Sequence, residues 1–168
     1  MRLTNFIVPN AIIPVLKTTA ADVNLRDPDA VTQFKKRVIC EMVDSLAAAN
    51  GFPDGDLEAI VEAVLKREQM GTTGIGKNIA IPHSRHPTVK KLAGTLALAP
   101  EGLPFDSLDG ELVYVFVLLV SPQERPGDHL RALEAVVRTM RNEEYVKLLR
   151  GCTTRDEIWA RLEQVSGE

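Results

Sequence analysis

REQMGTTGIGKNIAIPHSR, residues 67–85, changes character twice within one short span. Before it, apolar residues recur at Leu57, Ile60, Val61, Val64 and Leu65, which is one face of an amphipathic helix. Asp56 is placed to cap that helix, and Arg67 and Glu68 close it, with a cation suitably set against the helix dipole. Gly71, Gly74 and Gly76 then punctuate a loop carrying Thr72 and Thr73. Ile79-Ala80-Ile81 is too short and too apolar for an exposed helix, so it reads as a buried strand that ends at Pro82, with His83 directly after it. A helix that hands over to a buried strand through one loop points to an α/β fold.

Towards the N-terminus, Val31, Phe34, Val38, Met42 and Leu46 mark another amphipathic helix, entered at Asp27-Pro28-Asp29. Asn50-Gly51 suits a left-handed cap at its end. Residues 1–17 form an apolar lead-in with a turn at Pro9-Asn10, and residues 18–29 are polar. Towards the C-terminus, residues 92–99 predict a strand, Pro100-Glu101-Gly102 a turn, and Asp109-Gly110 a hairpin turn. Residues 112–120, LVYVFVLLV, are apolar on both faces and belong at the centre of a covered sheet. Asp128 is a candidate cap for a helix with Leu130, Leu133, Val136, Val137 and Met140 inward. A helical piece carrying Tyr145, Leu148 and Leu149 follows, stopped by Gly151. Thr154 to Glu157 fits a capping box for a last helix with Ile158, Leu162 and Val165 inward.

The 168 residues suit one domain with a real core. A net charge of -3 without a basic block argues against nucleic acid. No apolar run reaches the roughly 18 residues of a membrane span, and the first residues lack a cleavage pattern. Cys40 and Cys152 are the only cysteines, and Cys40 falls in a helical pattern where it acts as a small buried hydrophobe. A reducing cytoplasm is the expected location.

The chemistry gathers around His83. The glycines before it are explained either as turn residues or as an anion cradle, in which backbone N–H groups from Gly71 to Gly76 and the Thr72 or Thr73 hydroxyls face phosphate oxygens. Gly71 to Lys77 matches GxxxxGK, but Asn78 stands where a magnesium-binding hydroxyl is needed and a strand follows instead of a helix, so a nucleotide P-loop is rejected. Arg67 is either a helix-terminal surface cation or a planar fork that neutralises a phosphoryl group. His129, near a helix N-terminus, is expected neutral and inward or along the rim. It either bonds a phosphoryl oxygen, orients His83, or caps structurally. His83-Ser84-Arg85-His86 with His129 has zinc-like spacing but no cysteine or paired acid, and Ser84 lacks a nucleophile-elbow motif.

These residues resemble the phosphoryl-accepting IIA component of the bacterial phosphoenolpyruvate-dependent phosphotransferase system, in its fructose/mannitol and nitrogen-regulatory class. The matching motifs are Arg67-Glu68, GTTGIG (71–76), AIPH (80–83), Pro100-Glu101-Gly102 with Phe105, the strand at 112–120, His129-Leu130 with Leu133, and TTRDEI (153–158). Residues 50–165 match well and residues 1–49 loosely, within a single domain spanning 1–168. The resemblance implies a mixed β-sheet flanked by helices on both faces, with no metal or organic cofactor. It implies that His83 accepts a phosphoryl group from the phosphocarrier HPr, with Arg67 and His129 in the active site. A IIB component or a regulatory target protein is the implied further partner, and contact with a membrane comes at most through a permease. No attached IIB, IIC or HPr-like segment is expected, which leans towards the nitrogen-regulatory type over sugar transport. The alternative is a regulatory binding module of the same fold that works without phosphorylation.

Overall fold

The computed structural model describes residues 1–165. Two helices form where the spacing predicts them. In α1 (Pro28–Ala48) the Asp27 carboxylate accepts the Asp29 N–H, and in α2 (Leu57–Gln69) Asp56 accepts the Ala59 N–H. Asn50 adopts the left-handed conformation after α1, and the Gly51 N–H reaches Leu46 O at 2.7 Å. Cys40 is only half-buried on α1.

The strands are β1 (Gly74–Gly76), β2 (Ile79–Ala80), β3 (His83–His86), β4 (Ala93–Leu103) and β5 (Val113–Pro122). As the apolar run at 112–120 predicts, β5 is central: β4 pairs with it antiparallel, and β2 and β3 pair with it in parallel along its other edge. The sheet is therefore mixed. Side-chain alternation along β5 divides the core. Phe116, Leu118 and Val120 pack with α1 and α2, whereas Val115, Val117 and Leu119 pack with three later helices. Those are α3 (Pro126–Met140), α4 (Glu143–Arg150) and α5 (Arg155–Glu163).

The register shows that His83 does not sit where a strand leaves the sheet. Ile79 lies opposite Val115 and Ala80 opposite Phe116, then His83 opposite Leu119 and His86 opposite Pro122, with no slip between. β2 and β3 are thus two halves of one path, interrupted at Ile81-Pro82. Proline has no N–H for the ladder, and the Ile81 N–H turns away to Thr73 O at 3.0 Å.

Other turns also differ from the sequence reading. The glycine loop contains β1, which returns as β2 through Lys77 and Asn78, both at positive φ (56° and 70°), the conformation of a primed two-residue hairpin turn. Gly74 is required there: a Cβ would lie 3.0 Å from Ser107 Cα and 3.1 Å from Phe105 O. Pro100-Glu101-Gly102 is not the turn expected of it; it lies inside β4 as an irregularity between Leu98 and Leu103, a place where a strand proline is tolerated. The chain reverses instead through residues 104–112, so Asp109-Gly110 belongs to a longer connection than a tight hairpin.

The N-terminal segment protects the outer edge of β4. Ile7 bridges Gly94 and Ile13 bridges Ala97, and Leu16 N–H donates to Leu98 O at 2.9 Å.

α3 starts at Pro126 after Arg125, which makes no side-chain cap; Asp128 is in the first turn, paired with Arg125 and Arg131. Its buried face is Ala132, Ala135, Val136 and Met140, while Leu130 is 57% exposed and Val137 also faces out. The small alanines allow closer approach to the sheet than the leucine stripe the spacing suggests. α4 likewise buries Val146 and Leu149 and exposes Leu148. In α5, Ile158 and Leu162 are buried, and Val165 is half-buried beyond the helix end.

Candidate functional site

On α3, His129 stands in line with Ala132 and Val136 and faces β3 and the C-terminal end of β5. The His83 and His129 rings stand 5.4 Å apart between centroids, tilted by 49°. Both are half-buried. The two imidazoles, widely separated in the chain, thus share one site.

His83 Nδ1 lies 2.6 Å from Ile81 O. A carbonyl oxygen only accepts, so Nδ1 carries the proton and the lone pair resides on Nε2. The Pro82 ring holds the backbone between these two partners. Burial lowers the His83 pKa below 6.5; the bond to Ile81 opposes that, the Arg67 charge lowers it further, and Glu68 raises it. The imidazole is therefore neutral at pH 7.

His129 Nδ1 meets the Ser121 hydroxyl at 2.6 Å. Burial, then His83 and the Arg85 charge, push its pKa down to about 4. The expectation of a neutral ring agrees with this, although these causes differ from the helix dipole inferred from its position. In the unfolded chain the same group titrates near 6.5, so between the two values the unfolded state binds more protons. Stability is full above about pH 6.5 and is lost as the pH falls towards 4. With allowance for solvent screening of a half-exposed group, the loss is about 1–2 kcal/mol. Thermal melts between pH 6.5 and 4 should show it, and His129→Gln should flatten the slope; an unchanged slope would assign it to another group.

Arg67 projects from the end of α2 and donates to Gly71 O at 2.8 Å, closing the turn into the glycine loop. The loop itself is turned inward. Gly71 N–H donates to Glu68 O, Thr73 N–H to the Glu68 carboxylate at 2.9 Å, and Gly74 N–H to the Thr72 hydroxyl at 3.0 Å. Thr72 Oγ1 donates in turn to Phe105 O, and Gly76 pairs within the β1–β2 hairpin. Of the expected cradle, the N–H groups of Gly71, Thr73 and Gly74 and the hydroxyls of Thr72 and Thr73 are engaged in internal bonds. For Thr73 the physical reason is Glu68, a buried carboxylate that needs donors and takes both of that residue's.

Sequence reasoning did not single out Ser121, the Ile81 carbonyl or the charge of Arg85. The signal for the first is a hydroxyl at the end of an otherwise apolar strand, where Ser121 is fully buried. His86 turns to Thr88, with Nδ1 2.9 Å from its hydroxyl, and among the described residues no group of three or more His, Cys, Asp or Glu is arranged to hold a metal ion. No described helix is long and apolar enough to cross a membrane.

Residues 22–165 match the family described as phosphoenolpyruvate-dependent sugar phosphotransferase system, EIIA 2, and the chain belongs to that family. A nitrogen regulatory protein of Bradyrhizobium diazoefficiens is 31% identical over 160 residues, covering 95% of this chain and 94% of that one. The crystal structure of nitrogen regulatory protein IIA-Ntr from Neisseria meningitidis has the same fold, with a TM-score of 0.77 at 24% identity over 94% of this chain and 97% of the other. The Escherichia coli mannitol enzyme IIA, solved in complex with phosphorylated enzyme IIB, aligns with a TM-score of 0.65 at 21% identity, covering 78% and 88% of the two chains.

Proposed function

We propose that this chain is a phosphoryl carrier in which Nε2 of His83 accepts the phosphoryl group of a phosphohistidine donor of the HPr type. The observation that carries this reading is the His83 Nδ1–Ile81 O bond at 2.6 Å, which leaves Nε2 as the nucleophile on a neutral ring. The Nε2 lone pair forms the new N–P bond as the donor's N–P bond breaks, and the leaving electron pair returns to the donor imidazole. Positive charge develops on the His83 ring, and Ile81 O, already accepting from Nδ1–H, stabilises it. Little else is demanded of the protein beyond alignment and charge balance. Arg67 and Arg85 supply positive charge near the two imidazoles. In the tautomer that accepts from the Ser121 hydroxyl at Nδ1, His129 has Nε2–H to donate to a phosphoryl oxygen.

The exposed side chains of Met70, Ile75 and Leu130 provide apolar surface on segments flanking the two histidines, suited to docking a donor protein. A IIB component would receive the group, as the complex of the mannitol IIA suggests, or the phosphorylation state would govern binding to a regulatory target. The near end-to-end match with a nitrogen regulatory protein favours the regulatory role over sugar transport. This reading places the chain in the cytoplasm, meeting a membrane only through a permease partner.

Incubation with phosphoenolpyruvate, enzyme I and HPr should yield an acid-labile, base-stable phosphate on Nε2 of His83, assigned by phosphorus and nitrogen NMR. Absence of phosphate together with intact binding to a target would favour the phosphorylation-independent module instead. Phosphate on another residue would overturn the site assignment.

A further inference from the structure

Lys35 is a buried cation on the core-facing side of α1, its side chain 8% exposed, and nothing in the reaction above uses it. Its Nζ lies 3.1 Å from Glu68 Oε2, whose side chain is 1% exposed, and 3.3 Å from Asp106 Oδ2. It also stands 5.2 Å from the centroid of the Phe105 ring. Glu68 follows Arg67 directly, at the end of α2.

From Glu68 a continuous series of hydrogen bonds leads to the reacting imidazole. Thr73 is gripped twice, its N–H donating to Oε2 at 2.9 Å and its hydroxyl to Oε1. Thr73 O accepts the Ile81 N–H at 3.0 Å. Ile81 O accepts His83 Nδ1–H at 2.6 Å. Each link fixes the next: the carboxylate sets the Thr73 peptide, that peptide sets Ile81 where the strand path is interrupted, and the Ile81 carbonyl selects the tautomer of His83. No ladder bond to β5 can take the place of the Thr73 link, because the Ile81 N–H is turned away from β5.

We infer that Lys35 is a positioning residue for His83, holding the Glu68 carboxylate so that Thr73 and Ile81 keep the imidazole with its proton on Nδ1 and its lone pair on Nε2. This rests on the reading of His83 as the phosphoryl acceptor. The physical motive is that a buried ion pair contributes little net stability compared with a well-packed apolar pair. An apolar pair would hold α1 against α2 as well, but would offer Thr73 no acceptor. Removing the ammonium leaves a buried carboxylate that must seek solvent or take up a proton, and either change loosens its grip on Thr73.

The test uses the full chain as wild type, Lys35→Met, Thr73→Val and Thr73→Ser at pH 7.5, where His83 is neutral. Long-range nitrogen–proton NMR reports the His83 tautomer, and steady-state phosphorylation with HPr as donor reports the rate. Wild type and Thr73→Ser should show the Nδ1–H tautomer alone. Lys35→Met and Thr73→Val should show an appreciable Nε2–H fraction, and their kcat should fall about tenfold with the KM for HPr unchanged. Thr73→Val is nearly isosteric and decides the matter if Lys35→Met does not fold. A single Nδ1–H tautomer and an unchanged kcat in the folded variants, with only the melting temperature lowered, would overturn the inference and leave Lys35 a structural ion pair. If the wild type takes up no phosphate, the phosphocarrier reading fails while the tautomer comparison still decides whether Lys35 positions His83.

Discussion

His83→Ala is expected to abolish phosphate uptake from HPr, a loss of at least about 10⁴-fold, because it removes the atom proposed to form the N–P bond. His129, with its ring 5.4 Å away, should not substitute for it. That imidazole is committed through Nδ1 to Ser121. With a pKa near 4 it is also a weaker base and a poorer nucleophile towards phosphorus. The fold should survive, since β3 pairs with β5 through backbone groups that alanine retains. Circular dichroism and a melting temperature within a few degrees of wild type would establish that. Radiolabel from phosphoenolpyruvate remaining on the folded variant would refute the role of His83 directly.

The second large effect is on stability. Glu68→Leu leaves Lys35 buried with the exposed Asp106 as its counter-charge, and leaves both Thr73 donors without their acceptor. Breaking a buried pair from one side typically costs 3–5 kcal/mol, and Asp106 keeps the expected value near the lower end, about 3 kcal/mol. For a chain of this size that lowers the melting temperature by about 6–12 °C. The double variant Lys35→Met/Glu68→Leu should recover much of the loss, since no uncompensated charge then remains. Calorimetry on the single and double variants checks both halves. A Glu68→Leu protein as stable as wild type would mean that the Lys35–Glu68–Thr73 cluster is not a buried unit in solution.

The helices α1 and α2 were legible because their apolar residues recur with helical spacing and an aspartate stands at each entry. The central place of β5 was legible because only a strand covered on both sides tolerates nine apolar residues in succession. Less was legible where two constraints compete. In α3 the leucines suggest one face, but Ala132 and Ala135 are the buried residues and Leu130 faces outward. In the glycine loop, the Thr73 donors that look free in sequence are taken up by the Glu68 carboxylate. Pro100 resembles a turn residue because strand irregularities and turns favour the same residue types.

The α/β class, the family through its spaced Arg-Glu, Gly-rich and Ile-Pro-His motifs, and His83 as the candidate reacting group are all readable from the chain's residues. These depend on local periodicity and on residue types adjacent in the chain. The shared register of β2 and β3 across Pro82, the meeting of His129 with His83 and with Ser121, and the link from a buried lysine on α1 to the same imidazole came from the three-dimensional arrangement. Those relations depend on which residues the sheet and helices bring within hydrogen-bond distance, and on which donors remain once a buried carboxylate has taken its own.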